Sequence, residues 1–116
     1  MGKAELEFFD SETVPWSPVT LRPGVTERIL ARDPSCGLVT RMVRWEPGLD
    51  TSSAGPVVHD HFEEVLILSG SMHDLGLKQT FSAGSYACRP PGMHHGPWTT
   101  VDGCVMLEIQ YASDQA

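Results

Sequence analysis

Two histidines separated by one residue, His59 and His61, stand just before a short apolar segment. In an extended backbone, residues i and i+2 project from the same face, about 7 Å apart along the strand. Their imidazole nitrogens can then converge on one metal ion at about 2.0–2.2 Å each. Glu63 shares the parity of the two histidines, whereas Glu64 has the opposite parity unless a bulge intervenes. The spacing therefore predicts a metal site with mixed nitrogen and oxygen ligands.

Further imidazoles follow in segment 90–97, which reads Pro-Pro-Gly-Met-His-His-Gly-Pro. Proline and glycine restrict this turn, so that a histidine within it is held in place. A His-x-His pair alone is a weak signal, but the pair, the adjacent glutamates and this turn together predict one divalent transition metal. Nitrogen and carboxylate ligands suit Fe, Zn or Mn, and also Ni or Cu.

Other residues near the second turn are candidates for supporting roles. His94 adjoins His95 and points the other way in an extended segment, which favours contact with a metal ligand or with solvent. Met93 and Trp98 flank the same turn, so we expect them to line a substrate pocket. His73 follows a Ser-Gly turn, where a solvated hairpin position is the simpler interpretation.

Three arginines raise the question of an anionic substrate. Arg41 and Arg44 lie in one predicted strand, and Arg89 directly precedes the Pro-Pro-Gly turn. A buried arginine beside a metal would suit an anion, but the sequence does not decide which of the three points inward.

The elements that must position these residues are strands. Proline recurs nine times and no window of 11 or more residues has a clean 3.6-residue apolar period, which argues against helices. Short strand-like runs separated by glycine and proline turns are typical of an all-β sandwich or barrel. The candidate strands are 26–31, 38–45, 65–68, 86–88 and 104–111.

The patterns within these runs predict which residues share a face. Val39, Val43 and Trp45 lie on one face of their strand. Segment 65–68 is apolar on both faces, as in a central strand. The last run brings together Val105, Leu107, Ile109 and Tyr111.

Length and charge set limits on the function. The 116 residues fit a single domain, and 41% hydrophobic residues suffice for a packed core. The net charge of −7 argues against nucleic acid and anionic membranes as partners. Three cysteines without a Cys-x-x-Cys motif argue against disulfides. With no apolar signal core and no long apolar run, the sequence predicts a soluble, cytoplasmic protein.

Both histidine segments resemble the two conserved boxes of the cupin superfamily. The second box, Gly, five residues, Pro-x-Gly, two residues and His, is matched by Gly84, segment 90–92 and His95. The first box matches at His59 and His61 and closes on Gly70, which makes Glu63 the counterpart of the family's glutamate ligand. Only Phe62 separates His61 from Glu63, where the family has three or four residues, so Glu64 remains the alternative, as does a site of three histidines.

This resemblance implies a double-stranded β-helix, or jelly-roll barrel, with a metal inside. It implies His59, His61, Glu63 and His95 as ligands, a single domain over 1–116, a barrel core over 38–111 and an extended arm over 1–24. It also implies a homodimer, in which the arm of one chain pairs with the partner's sheet.

Within the superfamily, the chain is similar to zinc cupin domains of anti-sigma factors and to acetylacetone dioxygenase. The resemblance implies a metal-dependent dioxygenase acting on a small molecule such as a diketone or aromatic ketone. The alternatives are a zinc-binding sensor of a ligand or oxidant without catalysis, and a metal-free binding cupin.

Overall fold

The computed structural model describes residues 2–113, which form an antiparallel β-structure. The strands are β1 (Ser17–Pro18), β2 (Val25–Arg32), β3 (Val39–Trp45), β4 (Phe62–Asp74), β5 (Gln79–Ser82), β6 (Tyr86–Arg89), β7 (Trp98–Thr99) and β8 (Cys104–Tyr111). The strands are accompanied by two 3-10 turns, Ser11–Thr13 and Ser52–Ala54. The all-β prediction is confirmed. Neither turn has the length or apolar character to cross a membrane.

The longest strand, β4, is central to the architecture. Its first part pairs with β8 on one side and β6 on the other, while its last part pairs with β5 and β7. The main hydrogen-bonded order is β1-β2-β3-β8-β4-β5. Because β4 belongs to both groups of strands, its inward side chains line the interior along most of its length.

The interior is closed by apolar side chains from several strands. The buried cluster consists of Val43, Trp45, Val65, Ile67, Met72, Trp98, Cys104 and Met106. Val39, Val43 and Trp45 are all buried, which confirms the predicted face of β3. The three described cysteines are free, as expected.

Two apolar faces point outward. In β8 the buried residues are Cys104, Met106 and Glu108, so the apolar residues between them lie together on the outer, half-buried face. In β4, Leu66 and Leu68 are 37% and 44% exposed. Segment 65–68 is therefore buried on one face only, and the prediction of burial on both faces is wrong. Its outer side chains, Leu66 and Leu68, stay open to solvent within residues 2–113.

The N-terminal arm lies against its own chain. Strand β1 pairs with β2. A second attachment is made by Trp16, the residue directly before β1. The Trp16 ring stacks on the guanidinium groups of Arg28 and Arg44, at 4.2 and 4.4 Å from its centroid. These cation–π contacts attach the arm to the outer face of β2 and β3.

Candidate metal centre

Three potential ligands meet at the start of β4. His59 and His61 lie in the segment preceding the strand, and Glu63 is its second residue. One ligand atom from each of the three lies within 4.8 Å of the other two. The His59 and His61 rings are stacked, with centroids 4.2 Å apart, and His59 Nε2 lies 3.8 Å from Glu63 Oε1. This compact group of nitrogen and oxygen atoms has the composition of a divalent metal site.

The hydrogen bond of His59 prepares its ring for a metal. Its Nδ1 lies 2.8 Å from the backbone carbonyl of His61. Because a carbonyl oxygen only accepts, Nδ1 carries the proton and Nε2 holds the lone pair. The Nε2 atoms of His59 and His61 are both buried without a hydrogen-bond partner. Such unpartnered buried nitrogens are rare, and a metal ion would satisfy them. The residues thus fit a divalent cation.

His95 lies beside this trio. It is buried and forms a backbone bridge with Val57. Its ring centroid is 4.9 Å from that of His59, and its Nδ1 donates to the Met93 carbonyl at 3.1 Å. Its ring nitrogens are not part of the group within 4.8 Å. His95 thus shares with His59 an Nδ1 that donates to a backbone carbonyl, and it borders the group with its ring at 66° to that of His59.

The two glutamates face opposite sides of β4. The Glu63 carboxylate is buried and accepts a hydrogen bond from Arg89 Nη1 at 3.2 Å. Glu64 lies on the outer face, where it accepts a hydrogen bond from the Tyr86 hydroxyl. The alternation of the strand thus brings Glu63, and not Glu64, to the histidines.

Burial keeps two of the imidazoles neutral. The pKa of His61 is lowered, chiefly by desolvation and then by His59. The pKa of His95 is lowered by desolvation and then by the positive charge of Arg89. A neutral imidazole is the form that binds a metal, so both rings stay competent as ligands below the usual histidine pKa.

A cavity of about 230 Å³ opens next to the trio inside the barrel. Its wall includes His59, Glu63 and His95. The apolar part of the lining consists of Val19, Val25, Val43, Trp45, Val57, Met72, Trp98 and Met106. Trp98 thus lines this cavity, whereas Met93 is 43% exposed and lies in a neighbouring surface groove with His94 and His95.

The cavity wall also contains charged side chains, including arginines whose inward or outward direction the sequence did not decide. Arg41 and Arg89 line it, and Arg44 points outward onto Trp16. Arg41 is held between Glu27 and Glu108 at 2.8 Å each. Burial, and next the charge of Glu63, raise the pKa of Glu108 to about 7, although Arg41 opposes this.

Sequence reasoning did not identify Glu108 as part of the site. Glu108 lies on the same face of β8 as Cys104 and Met106, and this alternation could have indicated that it points inward. The opposite face of β8 is more apolar and forms the more conspicuous pattern. The remaining histidines lie outside the trio. His94 is exposed, and His73 Nδ1 contacts Thr80 Oγ1 at 2.9 Å in the β4–β5 hairpin.

Comparison with known protein families gives a match over residues 5–113, to the model described as the ChrR cupin-like domain. This region includes nearly the whole described chain. No curated protein matches the sequence significantly.

Solved structures share the fold at low identity. An RmlC-like cupin from Shewanella frigidimarina is 18% identical, with a TM-score of 0.71 over 99% of this chain and 98% of that chain. An acetylacetone dioxygenase from Acinetobacter johnsonii is 19% identical, with a TM-score of 0.70 over 94% of this chain and 74% of that one. The complex of Rhodobacter sphaeroides SigE with the anti-sigma ChrR matches at 24% identity and a TM-score of 0.64, over 86% of this chain and 51% of that one. These likenesses confirm the cupin jelly-roll fold.

Proposed function

Since the chain belongs to the ChrR cupin-like domain family, we propose that it is a small metal-dependent cupin enzyme, a non-haem dioxygenase acting on a small organic molecule such as a diketone or aromatic ketone. The observation that carries this proposal is the pair of buried, unpartnered Nε2 atoms of His59 and His61 beside Glu63, at the wall of a cavity. A purely structural metal site is closed by protein ligands, whereas a catalytic site keeps an open position. The cavity supplies the space for such a position.

The protein's own residues divide the work. His59, His61 and Glu63 would hold the metal, with His95 beside them as the fourth candidate ligand. When bound, a redox-active metal such as iron supplies the activation of O₂ and a positive centre for a chelating substrate. In a dioxygenation both oxygen atoms enter the substrate, so no external reductant is required.

The remaining groups orient the ligands and exclude water. The carbonyls of His61 and Met93 fix the ring orientations of His59 and His95. The apolar wall, including Trp98, keeps bulk water from the reacting groups and strengthens the electrostatic interactions there.

Oxygen uptake tests the proposal. We expect the iron-loaded protein to consume O₂ with at least one member of a panel of small β-diketones and hydroxylated aromatic ketones, and an E63Q variant to lose most of that rate. Substrate-dependent uptake that is equal in metal-free protein would contradict a metal-dependent reaction.

A second candidate is a zinc-binding sensor domain without turnover. The match to the ChrR cupin-like domain and the likeness to the anti-sigma ChrR favour it. One tightly held zinc per chain, with no turnover of any member of the panel under iron or zinc, would support this alternative over the enzyme.

We also propose that the chain forms a homodimer. Within residues 2–113 the arm leaves Phe8 fully exposed and Leu6 56% exposed, while Leu66, Leu68 and Tyr86 are uncovered on the barrel. Large exposed apolar side chains on the arm and on the barrel suit pairing between identical copies.

A further inference from the structure

Once a divalent ion is bound, the positive charges around the cavity at the metal trio would outnumber the negative charges of its carboxylates. The arginines that line this cavity are Arg22, Arg41 and Arg89. The carboxylates are Glu63 and Glu108, with Glu27 behind Arg41. A divalent ion together with Arg41 and Arg89 would bring four positive charges against these three negative ones. The protein as a whole has a net charge of −7, so this excess is local.

The two partly buried guanidinium groups of Arg41 and Arg89 are engaged to different extents. Arg41 donates to Glu27 and Glu108 from three nitrogen positions at 2.8–3.0 Å. The Arg89 guanidinium donates through Nη1 alone, to Glu63 at 3.2 Å, and makes no other hydrogen bond within residues 2–113. Its side chain is nonetheless only 11% exposed. A guanidinium carries five N–H donors, so Arg89 keeps most of its capacity free.

The carboxylate that faces Arg89 is the one assigned to the metal. If Glu63 binds a divalent ion, its negative charge is shared between that ion and Arg89. The guanidinium of Arg89, which is largely shielded from water, is then only partly compensated. Trp98 adds a further donor, because its Nε1–H is buried without a partner and its ring lies 5.4 Å from the Arg89 guanidinium. A ligand with an acceptor-rich negative group would satisfy both donors.

We propose that the site takes a small organic anion, a carboxylate that also has a ketone oxygen, and that Arg89 binds the carboxylate. This inference rests on the proposed metal site and specifies its substrate class. The ketone oxygen would face the metal trio, and the carboxylate would pair with the free N–H groups of Arg89, a geometry for which arginine is well suited. The cavity of about 230 Å³ suits a small ligand of this kind.

Binding to the zinc-loaded protein tests the anion site without turnover. Calorimetry compares acetoacetate with acetoacetamide, a neutral molecule of nearly the same shape, after the zinc content of each sample has been measured. We expect acetoacetate to bind at least about 10-fold more tightly to the wild type. R89Q should remove this preference, R89K should retain part of it, and the control R32Q, on an exposed arginine at the end of β2, should leave it unchanged.

The outcomes separate this inference from the proposal on which it rests. Zinc uptake with equal affinity for the two probes, or a preference that survives R89Q, would contradict the anion site and leave the metal site standing. A protein that takes up no transition metal would contradict both. If R89Q loses zinc and R89K keeps it, R89K decides the question. An R89K protein that binds acetoacetate no more tightly than acetoacetamide would overturn the assignment to Arg89.

Discussion

At the scale of single residues, the orientation of the imidazoles is set by nearby carbonyl oxygens. The bonds from His59 to the His61 carbonyl and from His95 to the Met93 carbonyl each span two residues. Such short-range contacts place the protons on Nδ1 and leave Nε2 free. The His-x-His spacing predicted that these two rings lie on one side of the chain. The structure stacks them, although the two residues lie before β4 and not within it.

The choice between the two glutamates gives a paired prediction. E63Q should lower transition-metal affinity by about 10-fold or more, because Glu63 is the carboxylate within 4.8 Å of the imidazole nitrogens. E64Q is the matched control, since that side chain faces Tyr86 on the outer surface. Competition with a chromogenic chelator measures both affinities. A larger loss in E64Q than in E63Q would contradict the assignment.

Glu108 should make the stability of the metal-free protein depend on pH. Its pKa rises from an ordinary value of 4.5 to about 7 in the fold, so the native state holds its proton more tightly than the unfolded chain. This contribution is fully present below about pH 4.5 and is lost as the pH rises through 7. From pH 5 to 8 the free energy of unfolding should fall by on the order of 2 kcal/mol for this reason.

The E108Q variant isolates that contribution. Its amide oxygen still accepts from Arg41 but does not ionise, so urea denaturation of the metal-free variant should lack this fall between pH 5 and 8. Equal pH slopes in the wild type and E108Q would argue against a raised pKa for Glu108.

At the scale of elements, the long strand β4 depends on a glycine. Gly70 has a φ of 76°, and a Cβ there would lie 2.1 Å from the Gly103 carbonyl oxygen. Gly84 also has a positive φ, 92°, but a Cβ at that position would meet nothing within 4 Å. The two glycines, which close the first box and open the second, therefore have different constraints. At Gly70 both the positive φ and the lack of space for a Cβ disfavour a side chain, whereas at Gly84 only the positive φ does.

An alanine at each position separates the two effects. G84A should cost about 1–2 kcal/mol of unfolding free energy from its left-handed backbone. G70A should cost at least about 2 kcal/mol more, because the backbone of β4 must move away from the turn before β8. Chemical denaturation monitored by tryptophan fluorescence gives both values. Similar losses would show that the contact at Gly70 is easily relieved.

Element patterns predicted the strands better than their inward faces. The three buried residues of β3 followed from alternation. In β8 the more apolar alternate residues face outward, and the inward ones include Glu108, which contacts Arg41 on the neighbouring strand. A charge partner on another strand is a tertiary feature, so alternation within one strand could not reveal it. For the same reason the inward positions of Arg41 and Arg89 were not predictable.

At the scale of the whole molecule, the exposed apolar residues predict self-association. An F8S variant combined with L6S should shift the protein from dimer to monomer, because these are among the large apolar side chains of the arm that lie open to solvent. V101S is the control, since Val101 is 81% exposed in the loop before β8. Light scattering coupled to size-exclusion chromatography measures the mass. A wild-type protein that is monomeric at high concentration would contradict the dimer.

The barrel as a whole brings distant segments to one place. The segment before β4 supplies His59 and His61, β4 supplies Glu63, and the turn before β7 supplies His95. Their convergence on a metal ion is the central claim of this account. Elemental analysis of protein purified without added metal tests it most directly. We predict about one transition-metal ion per chain in the wild type and a loss of most of it in a H59A and H61A double variant. A folded wild-type protein that contains no transition metal, and takes up none when offered iron, zinc or manganese, would contradict it.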